Sequence, residues 1–366
     1  MAELTPFTSF AQLDQSKIGD LAIYQYNALQ KKVLLDQHLL ALTKIHQHNC
    51  VLYGRFINAY SAIASCDHAS DIPPFAVRHF KEHKLSSTPV ENHYKTLHSS
   101  GTTGNPSTII LDSDTAKLQS KVLVKTLQHW LGKARLPMLI IDAPNTASKS
   151  TEMTARAAGI NGFAMFGRDH HYALNDNMQL NVEVVTKFFE KYQHEKILLF
   201  GFTAIVWQQF ICALKDKKLA FNLSQAILFH GGGWKKMLEH AVTKQTFKSS
   251  IQERLGNISI HDYYGMVEQT GTIHIECEHG YLHTPIWADV LIRRASDLTL
   301  AATQELGLIQ VNSIIAQSYP GHCLLTEDLG MIIGEDDCPC GRKGKYFIVQ
   351  GRVPLAEKRG CSDTFS

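Results

Sequence analysis

The chain has 366 residues, 44% of them apolar and 19% charged, with a formal charge of +2. Those values fit an ordinary globular protein long enough to bury a full core, and they exclude a disordered or low-complexity chain. The near-neutral balance, with no dense basic face, excludes a dedicated nucleic-acid binder. Residues 1–12 lack the apolar run of a secretory leader, and the longest apolar stretch, 197–207, is too short to span a bilayer. Eight cysteines without a leader predict a reduced, cytoplasmic protein with no membrane span.

Residues 18–64 predict helix, with Leu34, Leu39, Leu40 and Leu42 at helical spacing, until Asp71-Ile72-Pro73-Pro74 ends the pattern. An amphipathic piece with Phe75, Val77 and Phe80 beside Lys81, His83 and Lys84 follows. A polar loop over 98–108 leads into a strand at 109–111 and a helix at 115–133, capped by Asp112 or Ser113. Strands are predicted at 138–141, 197–202, 226–229 and 258–260, and helices at 151–158, 180–192 and 203–215. This alternation predicts an α/β layered core, followed after Gly271 by short strands and turns. The expected division is a large domain over 1–350, β-rich in 271–350, and a tail over 351–366.

The loop over 98–108 reads His-Ser-Ser-Gly-Thr-Thr-Gly-Asn-Pro-Ser-Thr. Ser99, Ser100, Gly101, Thr102, Thr103 and Gly104 offer hydroxyls and approachable N–H groups suited to a triphosphate, although an ordinary polar turn reads the same way. It is not a Walker loop, because no Gly-Lys-Ser/Thr opens a helix behind it. Gly231, Gly232 and Gly233 follow a strand and would let a flat ring lie on the backbone, or simply make a turn. In Asp262-Tyr263-Tyr264-Gly265-Met266-Val267-Glu268, a tyrosine could stack on a base while Glu268 holds magnesium through oxygen; a core tyrosine pair and a solvated glutamate is the alternative. Asp328 suits paired ribose hydroxyls, and Gly351-Arg352 offers a cation on a flexible step.

Cys338 and Cys340 could hold one metal but complete only half of a tetrahedral shell. Cys277 and His283 could supply the rest, with His279 competing; two reduced cysteines in a surface turn is the plainer reading. Cys50, Cys66, Cys212 and Cys323 sit in apolar or helical surroundings as packing residues. Phe163, Met165, Phe166, Gly201 and Phe202 are core residues or the entrance for an acyl chain. Asp169-His170-His171 is a poor base or metal pair, because adjacent histidines point different ways.

Taken in this order, the five segments resemble the adenylate-forming superfamily. There a Ser/Thr/Gly loop holds phosphates, a glycine-rich strand end receives adenine, a Tyr-Gly-x-x-Glu segment brings the magnesium ligand, an Asp binds ribose, and a Gly-Arg hinge follows. Ser107 stands where many members carry Lys, a departure similar to the phenylacetate–coenzyme A ligase branch. The superfamily usually continues into a small mobile domain with a catalytic lysine, whereas this sequence stops at Ser366. The tail from Ala356 to Ser366, with its Arg-Gly-Cys step, and the run from Gly231 to Lys235 are similar to the acyl-protein synthetases, fatty-acid-activating subunits of bacterial bioluminescence reductase systems. The Tyr-Tyr-Gly-Met-Val-Glu segment and the paired cysteines fit the ligase branch better.

The resemblance implies layered mixed sheets with flanking helices, as in the large domain of these enzymes, with a short β-rich region and no full mobile C-terminal domain. It implies ATP and magnesium, with structural zinc at Cys277, His283, Cys338 and Cys340. The implied reaction activates a carboxylic acid, a fatty acid, to acyl-AMP and transfers the acyl group to a thiol. Cys361 is the candidate, with a reductase or carrier protein as the next acceptor. Lys358 and Arg359 would favour its thiolate, and nine residues beyond Arg352 extend about 30 Å. The alternatives are an incidental terminal cysteine, a phenylacetate-type acyl-CoA ligase, and a non-catalytic nucleotide-binding scaffold.

Overall fold

Asn27 opens the first long helix, α1 (Ala28–Asn49), through a capping box. Its side chain accepts the Gln30 N–H, and the Gln30 side chain accepts the Asn27 N–H, each at 3.0 Å. The computed structural model describes residues 15–60, 66–99, 106–148, 155–234 and 239–353. The chain divides into two units, one of residues 1–129, 265–274 and 281–366, the other of 130–264 and 275–280.

In the larger unit, α1 buries Leu34, Leu35, Leu39 and Leu42 together with Lys31, His38, Thr43 and His46, the spacing of a single helical face. The helical stretch expected over 18–64 is interrupted. A 3-10 turn (Gln15–Asp20) precedes α1, and the extended backbone of Cys50 separates α1 from α2 (Val51–Ala59). The amphipathic piece resolves into β1 (Phe75–Ala76) and one turn of helix, α3 (His79–Glu82). Strands β2 (Lys95–His98) and β3 (Thr108–Leu111) form an antiparallel hairpin around the hydroxyl-rich loop. Asp112 rather than Ser113 caps the next helix, α4 (Ser113–Leu131), accepting the Thr115 N–H at 2.8 Å.

The second unit is a parallel sheet of β4 (Leu136–Ile141), β5 (Gly167–Tyr172), β6 (Ile197–Phe202), β7 (Ala226–Gly231) and β8 (Ser259–Gly265), in the order β8-β7-β6-β4-β5. Helices α5 (Ala155–Ala164), α6 (Val182–Lys191) and α7 (Lys244–Leu255) belong to this unit, and parallel pairs require such connections. Leu139, Leu199 and Leu228 pack with Phe188, Phe210, Phe247 and Ile251 in its core. The central strands are continuous apolar runs and so were readable in sequence. Strand β5, Gly-Arg-Asp-His-His-Tyr, was not, because as the last strand of the order it is largely open to solvent. The helix expected at 203–215 forms over 203–216, but Val206–Cys212 is wound as a π-helix.

After β9 (Ile273–Glu276), the larger unit continues as β10 (Leu282–His283), β11 (Ala288–Arg293), β12 (Gly307–Ser313), β13 (Cys323–Glu335) and β14 (Lys345–Arg352). These form an antiparallel ladder in the order β11-β12-β13-β14-β10, and β1 lies parallel to β13. Parallel strands in one unit and antiparallel strands in the other give the expected mixed α/β class. Among the described residues no helix is long and apolar enough to cross a membrane, and none of the described cysteines is in a disulfide.

Two buried histidines meet beside α1. His46 Nδ1 lies 2.8 Å from Ser87 Oγ, His322 Nε2 lies 2.9 Å from Thr43 Oγ1, and the two rings are 4.8 Å apart. Burial keeps both imidazoles neutral, pulling His46 down to about 4 and His322 well below its ordinary value. The unfolded chain takes up these protons near the ordinary histidine pKa and the folded chain does not. Stability is therefore full above about pH 6.5 and falls as pH drops from 6.5 toward 4. The His46 shift alone corresponds to roughly 3 kcal/mol at the acid end. Urea denaturation at about pH 7.5 and pH 5 should give a lower midpoint at the acid pH, with a flatter dependence in His46→Asn. Identical pH slopes for the variant and the parent would count against this origin.

Candidate active site

In the larger unit, Glu268 sits on a short 3-10 turn (Val267–Gln269) with only 8% of its surface exposed. Tyr319 OH donates to the Glu268 carbonyl oxygen at 2.9 Å, and Gln119 Nε2 donates to Tyr319 OH at 3.2 Å. Gln269 Nε2 donates to the carbonyls of Val311 at 3.0 Å and Gly321 at 2.8 Å. Gly271 has φ of +88°, and a Cβ there would stand 2.6 Å from the Gln119 carbonyl oxygen of α4, so both its conformation and its close approach require glycine. Burial raises the Glu268 carboxyl above the ordinary range, and Lys81 and Arg352 act on it only through space; the Ser107 hydroxyl is buried nearby with no hydrogen-bond partner among the described residues. A positioned, buried carboxylate is a fitting oxygen ligand for a hard divalent cation such as magnesium.

Ser107 also closes the stem of the hydroxyl-rich loop. The Ser99 N–H donates to the Ser107 carbonyl at 3.1 Å, and the Ser107 N–H donates to Ser99 Oγ at 2.8 Å. Ser100, Gly101, Thr102, Thr103 and Gly104 lie outside the described residues, as does Cys361. Asp328 and Arg352 are partners in the β13–β14 ladder, with Arg352 Nε 3.3 Å from Asp328 Oδ1. The Gly351-Arg352 step is thus paired at the end of a strand.

In the second unit the expected residues lie at the carboxyl ends of β7 and β8. A Cβ on Gly231 would come within 2.6 Å of the Tyr263 ring. The flat ring that Gly231 admits is therefore the protein's own, because Tyr263 fills that space and packs against Phe163 at 5.4 Å and Phe200 at 6.5 Å. Burial raises the Tyr263 hydroxyl above its ordinary range. Gly232 and Gly233 turn the chain away with φ of +80° and +58°. Tyr264 and Gly265 end β8 half-buried and exposed, respectively.

Sequence reasoning missed the polar residues directly before these positions. His230 Nδ1 lies 3.0 Å from Thr203 Oγ1 and 3.7 Å from Asp262 Oδ1, and Thr203 Oγ1 also donates to the Gly231 carbonyl at 3.1 Å. Burial, aided by Lys248 and Lys244, pulls His230 down to about 3. Burial and then Glu276 push Asp262 up to about 7, while 39% of its side-chain surface stays open. Glu276 itself is buried between Lys244 and Lys248. The signal that could have found them is position, since open parallel sheets bind ligands at their carboxyl ends.

His283, Cys338 and Cys340 come together in the larger unit, with donor atoms within 4.8 Å of one another and Cys340 Sγ 3.3 Å from His283 Nε2. Burial would raise the Cys340 thiol, but hydrogen bonds from the Arg342 backbone and side chain and from Cys338 outweigh it and hold it below the ordinary range. Two thiols and an imidazole are a donor set that suits zinc. Cys277 is buried in the 275–280 segment of the other unit, and His279 is exposed in the same segment. Phe163 and Phe166 are buried core, and Met165 is exposed. Asp169 takes part in an ion pair with Lys191 at 2.8 Å and accepts from Tyr192 OH, a surface contact.

A family profile described as acyl-protein synthetase, LuxE, matches residues 8–366. The long-chain-fatty-acid–luciferin-component ligase of Aliivibrio fischeri is 24% identical over 194 residues, 51% of this chain and 50% of that protein. The chain thus spans about half the length of that relative. Among solved structures, 2-hydroxyisobutyryl-CoA ligase is similar in an open conformation with 2-HIB-AMP and CoA, with a TM-score of 0.67 and 13% identity, covering 96% of this chain and 80% of that one. Its postadenylation state with R3-HIB-AMP gives a TM-score of 0.65 at 13% identity, covering 90% and 69%. At such identity the likeness is one of fold, that of the large domain of adenylate-forming ligases. With a family match from residue 8 to residue 366, the chain belongs to the LuxE acyl-protein synthetase family.

Proposed function

We propose that the chain activates a carboxylic acid with ATP and passes the acyl group to the Cys361 thiol, then to a partner protein. The observation that supports this most is Glu268, a buried carboxylate whose main chain is fixed by Tyr319 and whose segment follows the Tyr-Gly step. In this reading the substrate carboxylate attacks the α-phosphorus of ATP, forming an acyl–phosphate anhydride and releasing pyrophosphate. The thiolate then attacks the acyl carbon, a C–S bond forms, and AMP leaves with the electron pair of the broken C–O bond. Ser99 to Gly104 would donate to the phosphates, Asp328 to Arg352 would bracket the ribose, and Tyr264 would stack on the base. Magnesium bound at Glu268 would neutralise phosphate charge. A fatty acid as substrate rests on the printed name of the Aliivibrio fischeri relative.

Acid-dependent exchange of pyrophosphate into ATP should be present and should fall about 100-fold or more in Glu268→Gln; full exchange in the variant would remove Glu268 from the metal site. Incubation with ATP, magnesium and labelled fatty acid should give a hydroxylamine-sensitive acyl protein that Cys361→Ala abolishes while exchange persists. Equal labelling of the variant would sink the thiol assignment. Total absence of exchange would favour a non-catalytic scaffold. The fold match to a CoA ligase over 96% of the chain keeps an acyl-CoA ligase as the second reading, and acyl-CoA among the products with coenzyme A present would favour it.

We also propose that His283, Cys338 and Cys340 hold a structural zinc ion. Gel-filtered protein should retain one tightly held zinc per chain by elemental analysis, and Cys340→Ser should lose it. Zinc-free wild-type protein that melts at the same temperature with and without added zinc would overturn this.

A further inference from the structure

One cluster with the donors of a metal centre lies outside everything assigned above. Residues 78–83, Arg-His-Phe-Lys-Glu-His, form α3 and its flanks. Phe80 anchors the turn: it is fully buried, with its ring 5.9 Å from Tyr319 and 6.2 Å from Phe75. At about 100° per residue, His79, Glu82 and His83 fall within one arc of about 100°, with Glu82 the farthest of the three from that anchor. The His83 N–H donates to the His79 carbonyl at 2.9 Å and closes the turn. The His79 ring is held by stacking on Phe75 at 4.6 Å, and the His83 ring lies nearly parallel to it at 6.2 Å. One donor atom from each of His79, Glu82 and His83 lies within 4.8 Å of the other two. His79 Nδ1 is buried with no hydrogen-bond partner among the described residues.

We propose that His79, Glu82 and His83 bind a divalent first-row transition-metal ion through two imidazole nitrogens and one carboxylate oxygen. Histidines one turn apart on a helical face, with a carboxylate beside them, are a sound ligand set for zinc or copper(II). Bonds of about 2.0–2.2 Å require donors roughly 3–3.5 Å apart, so donors now within 4.8 Å of one another close by up to about 1.5 Å on binding. Glu82 and His83 are exposed and free to turn, while His79 is the fixed member. The contact to be given up is the Arg78–Glu82 pair at 3.6 Å between half-exposed side chains, a weak interaction. Glu82 and His83 also edge an open groove of about 550 Å³ beside Cys50 and Arg55, which leaves space for water on the ion.

The test uses the full chain, stripped with chelator and titrated with Cu²⁺ under electron paramagnetic resonance. The expected result is a bound ion with couplings to two imidazole nitrogens. His83→Ala should lose one coupling, and His83→Ala and Glu82→Gln should each weaken binding at least tenfold while pyrophosphate exchange is unchanged. Repeating the titration with Co²⁺ separates this site from the cysteines, because a His83-dependent spectrum here has no thiolate charge-transfer band. Unchanged affinity and the same two-nitrogen signal in both variants would overturn the proposal.

Discussion

The cost of keeping the Glu268 carboxylate out of water governs the candidate site. An ionised carboxylate in a low-dielectric interior costs several kcal/mol and is ordinarily paired or neutralised. Here Lys81 and Arg352 act on it only at a distance. The protein fixes the main chain around it instead. Tyr319 holds the Glu268 carbonyl, Gln269 reaches the backbone of Val311 and Gly321, and Gly271 lets α4 close on the segment. The ladder and the helix thus set where the main chain of Glu268 stands, and in the proposed reading a cation bound at its carboxyl would supply the compensation that the fold withholds.

The second unit solves a different problem with similar economy. Its parallel strands leave polar backbone at their carboxyl ends, and Thr203 bridges the His230 ring and the Gly231 carbonyl there, with Asp262 alongside. Burial keeps His230 neutral, so its ring holds position without adding charge. Glu276 between Lys244 and Lys248 is the opposite case, a buried charge that is fully paired. Tyr263 lying on Gly231 fuses the ends of β7 and β8 into one surface. In the proposed reading this moves recognition of the base to Tyr264.

Much of this was legible in the sequence because the signals were local. The buried strands at 197–202 and 226–229 are apolar runs, Asp112 and Ser113 stand as cap candidates before their helix, and Glu268 follows a Tyr-Gly step. What was not legible depends on tertiary neighbours. Cys50 breaks the first helix although nothing in its residue type requires a break. Strand β5 has the composition of a loop because its edge position removes the demand for apolar residues. Gly231 reads as an invitation to a ligand until the Tyr263 ring is found on it. His230 and Asp262 are ordinary polar letters whose meaning comes from strands paired in register far apart in sequence.

Three donor sets of graded softness also imply a sorting of ions. Glu268 offers carboxylate oxygen, which suits magnesium and gives little grip to softer ions at low concentration. Cys338 and Cys340 with His283 offer thiol sulfur, which takes zinc ahead of any imidazole–carboxylate set. His79, Glu82 and His83 fall between. In the proposed scheme the cysteine set fills first and stays filled, so the exposed set responds only to ions in excess of that demand. Such a site is suited to exchange, and its occupancy would follow the free metal concentration rather than the folding of the chain.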